Sequence, residues 1–244
     1  DLGDGIFAKV IADDPTLETP LYTGATDVLL TLQTASPMPG LLDLSAADWA
    51  DAACFALDWY RRAITGDAGD VASFRTTLQD LIRTHADGPR VMILRDFHAE
   101  NLLWLPDRAG VARVGVLDFQ LAQLGQPGYD LVSLLQDARR DVSHETTTAM
   151  IRRFKEGTGA DAQFDSAYAV LGAQRALRIL GIFARLCVVA AKPGYLRLIP
   201  RVWGQLQMNL AHPVNAPLAK ICAALLPPPT AENLARIGDQ CPSP

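Results

Sequence analysis

The 244 residues are 49% hydrophobic with a net charge of −5, a composition that supplies a packed core and does not fit a disordered chain. No run of Lys or Arg offers the basic stripe that a phosphodiester backbone requires, which argues against nucleic acid as a partner. Cys54, Cys187, Cys222 and Cys241 form no CxxC pair, a spacing that argues against zinc and against a disulfide framework and suits a reducing cytoplasm.

Thr19 followed by Pro20 reads as a helix start, because the hydroxyl satisfies a free N–H and proline at the first helical position gives up no bond. Tyr22, Ala25, Val28, Leu29 and Leu32 then recur at helical spacing. Ser45 to Asp48 has the form of a capping box, and Trp49, Ala52, Ala53, Ala56, Trp59, Tyr60 and Ala63 behind it predict a second amphipathic helix. A third covers about Val71 to Thr84. Between Pro89 and Phe119 the rhythm changes to short apolar runs, Val91–Leu94, Leu102–Leu105 and Val114–Leu117, which read as strands. Helical spacing returns from Tyr129, and a long helix follows through Tyr168, Gly172, Ala176, Ile179, Leu180, Phe183, Cys187 and Ala190. The most apolar stretch, Ile179 to Ala191, is too short to span a bilayer and is interrupted by Arg185, so no membrane association is expected. Pro227 to Pro229 set off a polar tail over 227–244 that is expected to be loosely held. The expected class is α+β, mostly α-helical with a few short strands.

Polar residues gather where two of the strands end. Arg95, Asp96, Phe97, His98, Ala99, Glu100 and Asn101 follow the first, and Asp118, Phe119 and Gln120 follow another. Phosphoryl transfer asks little covalent chemistry of a protein; it needs a carboxylate to orient and deprotonate the attacking hydroxyl and oxygen ligands to fix magnesium on the phosphates. Asp96 suits the first task and Asn101 with Asp118 the second, since a neutral and a charged oxygen donor together suit Mg2+.

The stretch Leu94 to Pro106, then Val116 to Gln120, then Tyr129 to Arg140, resembles the aminoglycoside phosphotransferase and choline kinase superfamily, and most nearly its bacterial anomeric N-acetylmuramate and N-acetylglucosamine kinases. Gln174 to Leu186 and Tyr195 to Arg201 resemble the helical remainder of that branch. The resemblance implies a protein-kinase-like carboxy-terminal lobe over 1–226, with Asp96 as catalytic base, Asn101 and Asp118 as magnesium ligands, and Asp130 as the acid that braces the catalytic loop. It implies ATP as co-substrate and a hydroxyl of a small molecule, an amino sugar, as acceptor. His98 either holds the loop or touches substrate. Glu100 faces solvent or substrate, and Arg175 stands as a possible contact for an anionic sugar, against an ordinary exposed helix face.

Asp1 to Asp4 look like the hinge between two lobes, with residues 1–5 its remnant, so the amino-terminal lobe that holds ATP is expected to be absent and activity impaired. Leu121 stands where such kinases usually carry an acid, and Leu94 where the wider superfamily has His. A catalytically inactive pseudokinase acting as a binding module therefore stays open, as does, more weakly, a metal-dependent phosphoester hydrolase using Asp96, His98 and Asp118. Neither the exact sugar nor the oligomeric state follows from the residues.

Overall fold

A computed structural model of the chain describes residues 3–242, so Asp1 and Leu2 of the expected hinge, and Ser243 and Pro244 of the tail, lie outside the described residues. In chain order the helices are α1 (Phe7–Asp13), α2 (Glu18–Thr34), α3 (Ala46–Ala53), α4 (Arg62–Thr65) and α5 (Val71–His85). Four strands follow, β1 (Val91–Ile93), β2 (Leu102–Trp104), β3 (Val114–Val116) and β4 (Gln123–Gly125), and then α6 (Tyr129–Leu135), α7 (His144–Thr158), α8 (Gln163–Ala190), α9 (Ile199–Leu210), α10 (Ala216–Leu225) and α11 (Ala231–Gly238). The chain forms two compact units: Asp1–Asp43 with Gly88–Phe164, and Leu44–Asp87 with Asp165–Pro244.

In the first unit all four strands are antiparallel and arranged as two pairs. β1 pairs with β4, Met92 opposite Leu124, and β2 pairs with β3, Leu103 opposite Gly115. β4 had no counterpart in the sequence reading because Leu124 is its one large apolar residue. Its place is set instead by Gly125, where an added Cβ would collide with the Ile93 side chain. α2 begins at Glu18, one residue before the predicted cap, and the reason lies outside the helix. The Thr19 hydroxyl is shared with Thr146 at 2.8 Å, and Glu18 accepts from the Ser143 N–H at 3.0 Å. α7 is capped by Ser143 at one end and by left-handed Gly159 at the other, and it buries Thr146, Met150 and Phe154 along one stripe. Arg153 grips Asp27 of α2 with two bonds of 2.6 and 2.9 Å.

In the second unit the capping box at Ser45 and Asp48 forms as the sequence indicates. The single helix expected behind it does not. It passes through a π-helical turn at Ala56–Arg61 before α4. The neighbouring backbone explains the interruption: α8 comes so close to Phe55 at Gly181 that any Cβ there would overlap the Phe55 backbone. Among its described residues the tail is not loose. Thr230 caps α11 by accepting from Asn233 N–H, Ile237 is fully buried, and Gln240 donates to Ala63 O. The cysteine expectation is corrected as well, since Cys187 and Cys241 form a disulfide across 54 positions, with Cα atoms 5.2 Å apart. Distance along the chain had masked a pair that the return of α11 brings together. Among the described residues no helix is long and apolar enough to cross a membrane.

Replacing Gly181 with Ala should cost about 1–3 kcal/mol through overpacking, which exceeds the roughly 0.5–1 kcal/mol that Ala gains over Gly within a helix. Urea unfolding measures the difference, and a more stable variant would mean that the two backbones do not touch. Closing a loop of this length should contribute about 4 kcal/mol by the chain-entropy account, so reductant should lower the thermal midpoint. Burial pushes the Cys54 and Cys222 thiols up to about 11 and about 12, so the native oxidised protein should show no reactive thiol and the unfolded protein two. Four thiols on unfolding without reductant would rule out the bond.

Candidate active site

Asp130 is the second residue of α6 and sits almost fully buried in its first turn, where the positive end of the helix favours a carboxylate. One of its oxygens accepts from the Leu94 N–H at 2.6 Å and the other from the Arg95 N–H at 2.9 Å. These are charge-assisted bonds to the segment that leaves β1. Arg95 has φ of 73°, a left-handed conformation that costs a non-glycine residue energy. Three contacts hold it there: Asp130 on its N–H, the Ser133 hydroxyl on its carbonyl at 3.2 Å, and the Gln123 side chain on its guanidinium at 3.1 Å.

The chain then turns sharply. Asp96 N–H donates to Leu94 O, and a 3-10 turn over Ala99–Asn101 closes on the carbonyl of His98. Asn101 Nδ2 reaches back to the Asp96 carbonyl at 3.0 Å, so the amide nitrogen is occupied within the loop and the amide oxygen is the end left for a ligand. Asp96 is half-buried and Asp118 exposed. Asp118 lies at the same end of the β2–β3 pair as Asn101, because Leu102 faces Val116 and the Leu117 N–H bonds Asn101 O at 2.9 Å. Its φ is 57°, and Gln120 donates to its carboxylate from the following turn. The structure thus gathers Asp96, Asn101 and Asp118 around one loop and one strand end. Asn101 Oδ1 and the Asp118 carboxylate are hard oxygen donors of the kind that magnesium takes.

His98 is buried beneath this loop. Its Nε2 faces Asn101 Nδ2 and Arg139 Nη1, each at 3.5 Å, and with two N–H donors around it that nitrogen suits the acceptor role. Glu100 is exposed and paired with Arg139 at 2.7 Å. Arg175 lies on α8 in the other unit and is buried rather than on the exposed face expected of it. Leu121 is exposed in the turn after Asp118. Sequence reasoning passed over Ser133, Gln123 and Arg139. The Arg139-Arg140 pair just past an entirely buried helix was the available signal, as charge there has to be anchored or used.

A model of the phosphotransferase enzyme family matches residues 11–171. The chain belongs to that family. It is 39% identical over 232 residues to an N-acetylmuramate/N-acetylglucosamine kinase of Caulobacter vibrioides, a match covering 89% of this chain and 63% of that protein. A kinase of the same name from Pseudomonas aeruginosa is 32% identical over 180 residues, 69% of this chain and 52% of the relative. The chain therefore spans between half and two thirds of the length of these two relatives. Among solved structures, a choline/ethanolamine kinase family protein from Mesorhizobium loti superposes with a TM-score of 0.55 at 12% identity, covering 92% of this chain and 67% of that one. That likeness concerns the fold, which is the mostly helical, kinase-like one that the sequence implied. In this phosphotransferase-family chain the matched region takes in every residue of the loop described above.

In Asp130→Asn the one remaining amide oxygen can serve only one of the two backbone N–H groups, and the new NH2 is set against the other, which is left without an acceptor. Asp130→Asn should therefore lower stability by about 2–4 kcal/mol, measured by urea unfolding. A loss within about 0.5 kcal/mol, the ordinary range for surface changes, would show that the loop does not depend on this carboxylate.

Proposed function

We propose that this chain is the acceptor-binding and catalytic part of an ATP-dependent kinase that phosphorylates a hydroxyl of an amino sugar. The observation that supports this reading most directly is the loop in which Asn101 folds back on Asp96 while Asp118 ends the neighbouring strand. Membership of the phosphotransferase family and the names of the relatives agree with it.

In this reading Asp96 is the catalytic base. Its carboxylate accepts the proton of the attacking hydroxyl and orients the oxygen for in-line transfer. Asn101 Oδ1 and Asp118 hold Mg2+, which when bound neutralises charge on the transferring phosphate. Gln120 steadies the Asp118 carboxylate from one side. Asp130 and His98 keep the loop in shape and stay out of the chemistry, while Glu100 borders the acceptor. Arg175 is buried in the second unit, and this reading gives it no role at the acceptor. ATP and the sugar are the partners. A cytoplasmic location goes with this function, and it sets the Cys187–Cys241 bond against a reducing pool.

The experiment is ADP release by the full-length protein with N-acetylglucosamine and N-acetylmuramate as acceptors. Asp96→Asn should lower kcat by about 10²- to 10⁴-fold with the thermal midpoint unchanged, because the residue is half-buried and its carbonyl, not its carboxylate, carries the loop bond. Full activity in the variant would remove Asp96 from the role of base.

A further inference from the structure

Arg139 follows α6 by four positions and is tied to the loop that carries Asp96. Its backbone N–H donates to the buried Asp137 carboxylate at 2.8 Å. Nε lies 2.7 Å from Glu100 Oε2, and Nη1 lies 3.5 Å from His98 Nε2. Nη2 has no protein partner among the described residues. The two side chains of the Arg139–Glu100 pair are 33% and 50% exposed, against 21% and 14% for Arg140 and Glu18 close by. That contrast separates two uses of arginine. Arg140 is spent on structure, bonded to Tyr22 OH and Glu18, and Arg95 is engaged by Gln123. Arg139 keeps a donor face that a ligand can reach.

The electrostatics of the loop require such a group for one class of acceptor. Asp96 and Glu100 belong to the loop that Asn101 closes, and Asp118 follows the strand whose end bonds Asn101, so three acidic residues belong to this corner of the fold before any phosphate of a nucleotide is counted. A neutral sugar enters this field without penalty, whereas a sugar bearing a carboxylate is repelled unless a cation meets it. A guanidinium held at Nε and open at Nη2 offers a carboxylate one charge-assisted N–H in a fixed direction.

We propose that Arg139 is the specificity-determining residue of the acceptor site, recognising the carboxylate of an anionic amino sugar such as N-acetylmuramate, with Glu100 as the internal anion that holds the guanidinium in place and competes for it. This rests on the amino-sugar kinase reading and goes beyond it by assigning discrimination between anionic and neutral acceptors to one ion pair. N-acetylmuramate differs from N-acetylglucosamine by a lactyl ether that carries the carboxylate, so the two sugars isolate the charge.

The test measures kcat/KM for both sugars, and their Kd by calorimetry, in the full-length protein and in Arg139→Met, Arg139→Lys and Glu100→Gln. The ratio of the anionic to the neutral sugar should fall about tenfold or more in Arg139→Met, as expected for loss of one charge-assisted bond. Arg139→Lys keeps the charge but not the fixed direction of the guanidinium donor and should lie between. Glu100→Gln should move the ratio the other way. A ratio that stays constant in all three variants, including a loss shared equally by both sugars, overturns the assignment and leaves the kinase reading intact. Binding of neither sugar by the wild-type protein overturns both. Arg139→Lys also guards against misfolding, since it retains the link to Glu100.

Discussion

The two bonds from Asp130 to the Leu94 and Arg95 amides are the constraint on which the rest of the site depends. A carboxylate taken out of water is costly, and here its cost is offset by two N–H groups and by the N-terminal end of α6. The gain is positional. Arg95 can stay in a left-handed conformation only because its N–H, carbonyl and guanidinium are each engaged. That conformation turns the chain so that Asp96 leaves β1 facing Asn101 instead of continuing the strand. The loop that carries Asp96 is thus shaped from behind, by residues that take no part in the proposed chemistry.

The same economy appears at the β2–β3 end. A three-residue pair is too short to be stable alone, yet it fixes Asn101 and Asp118 to one edge because its ladder continues through the bond from Leu117 to Asn101. Asp118 then sits at positive φ, a conformation that Asp tolerates better than most side chains. Short strands, a left-handed residue at each exit and one buried acid are sufficient to bring the chain positions of Asp96, Asn101 and Asp118 to one loop and the strand end beside it.

How far the sequence foretold this differs by kind of signal. Capping and apolar periodicity located α2, α3, α5 and the long α8, and the apolar runs located β1, β2 and β3, each one residue shorter than expected. β4 escaped because pairing, not hydrophobicity, defines it, and Gly125 marks it only once the Ile93 side chain is known to reach across to it from two positions along β1. The π-helical turn escaped because it answers to the close approach of Gly181, a contact between segments about 125 positions apart. The disulfide escaped for a similar reason: spacing along the chain carries no information on which ends meet. Within the site the acids and the amide were legible because their types and order are chemically restrictive. Their supports, Ser133, Gln123 and Arg139, are ordinary residues whose meaning comes only from what they touch.

Arg139 and Arg140 show the point most sharply, since adjacent and identical side chains have separate physical standing. Arg140 is enclosed, bonded to Tyr22 and Glu18, and helps to hold the Glu18 carboxyl below its ordinary value; burial alone would raise it, and bonds from Ser143 and Thr146 together with the guanidinium outweigh that. Arg139 is half-open and is paired with Glu100 on the loop that carries Asp96. A guanidinium in that position lowers the repulsion among the carboxylates even with no ligand bound, so it cannot be judged by its ion pair alone. An exposed pair of this kind adds little to stability, and stability therefore does not account for a cation against that loop. In the proposed amino-sugar kinase, what it would change is the field met by an incoming acceptor, and that field is where an anionic and a neutral sugar differ.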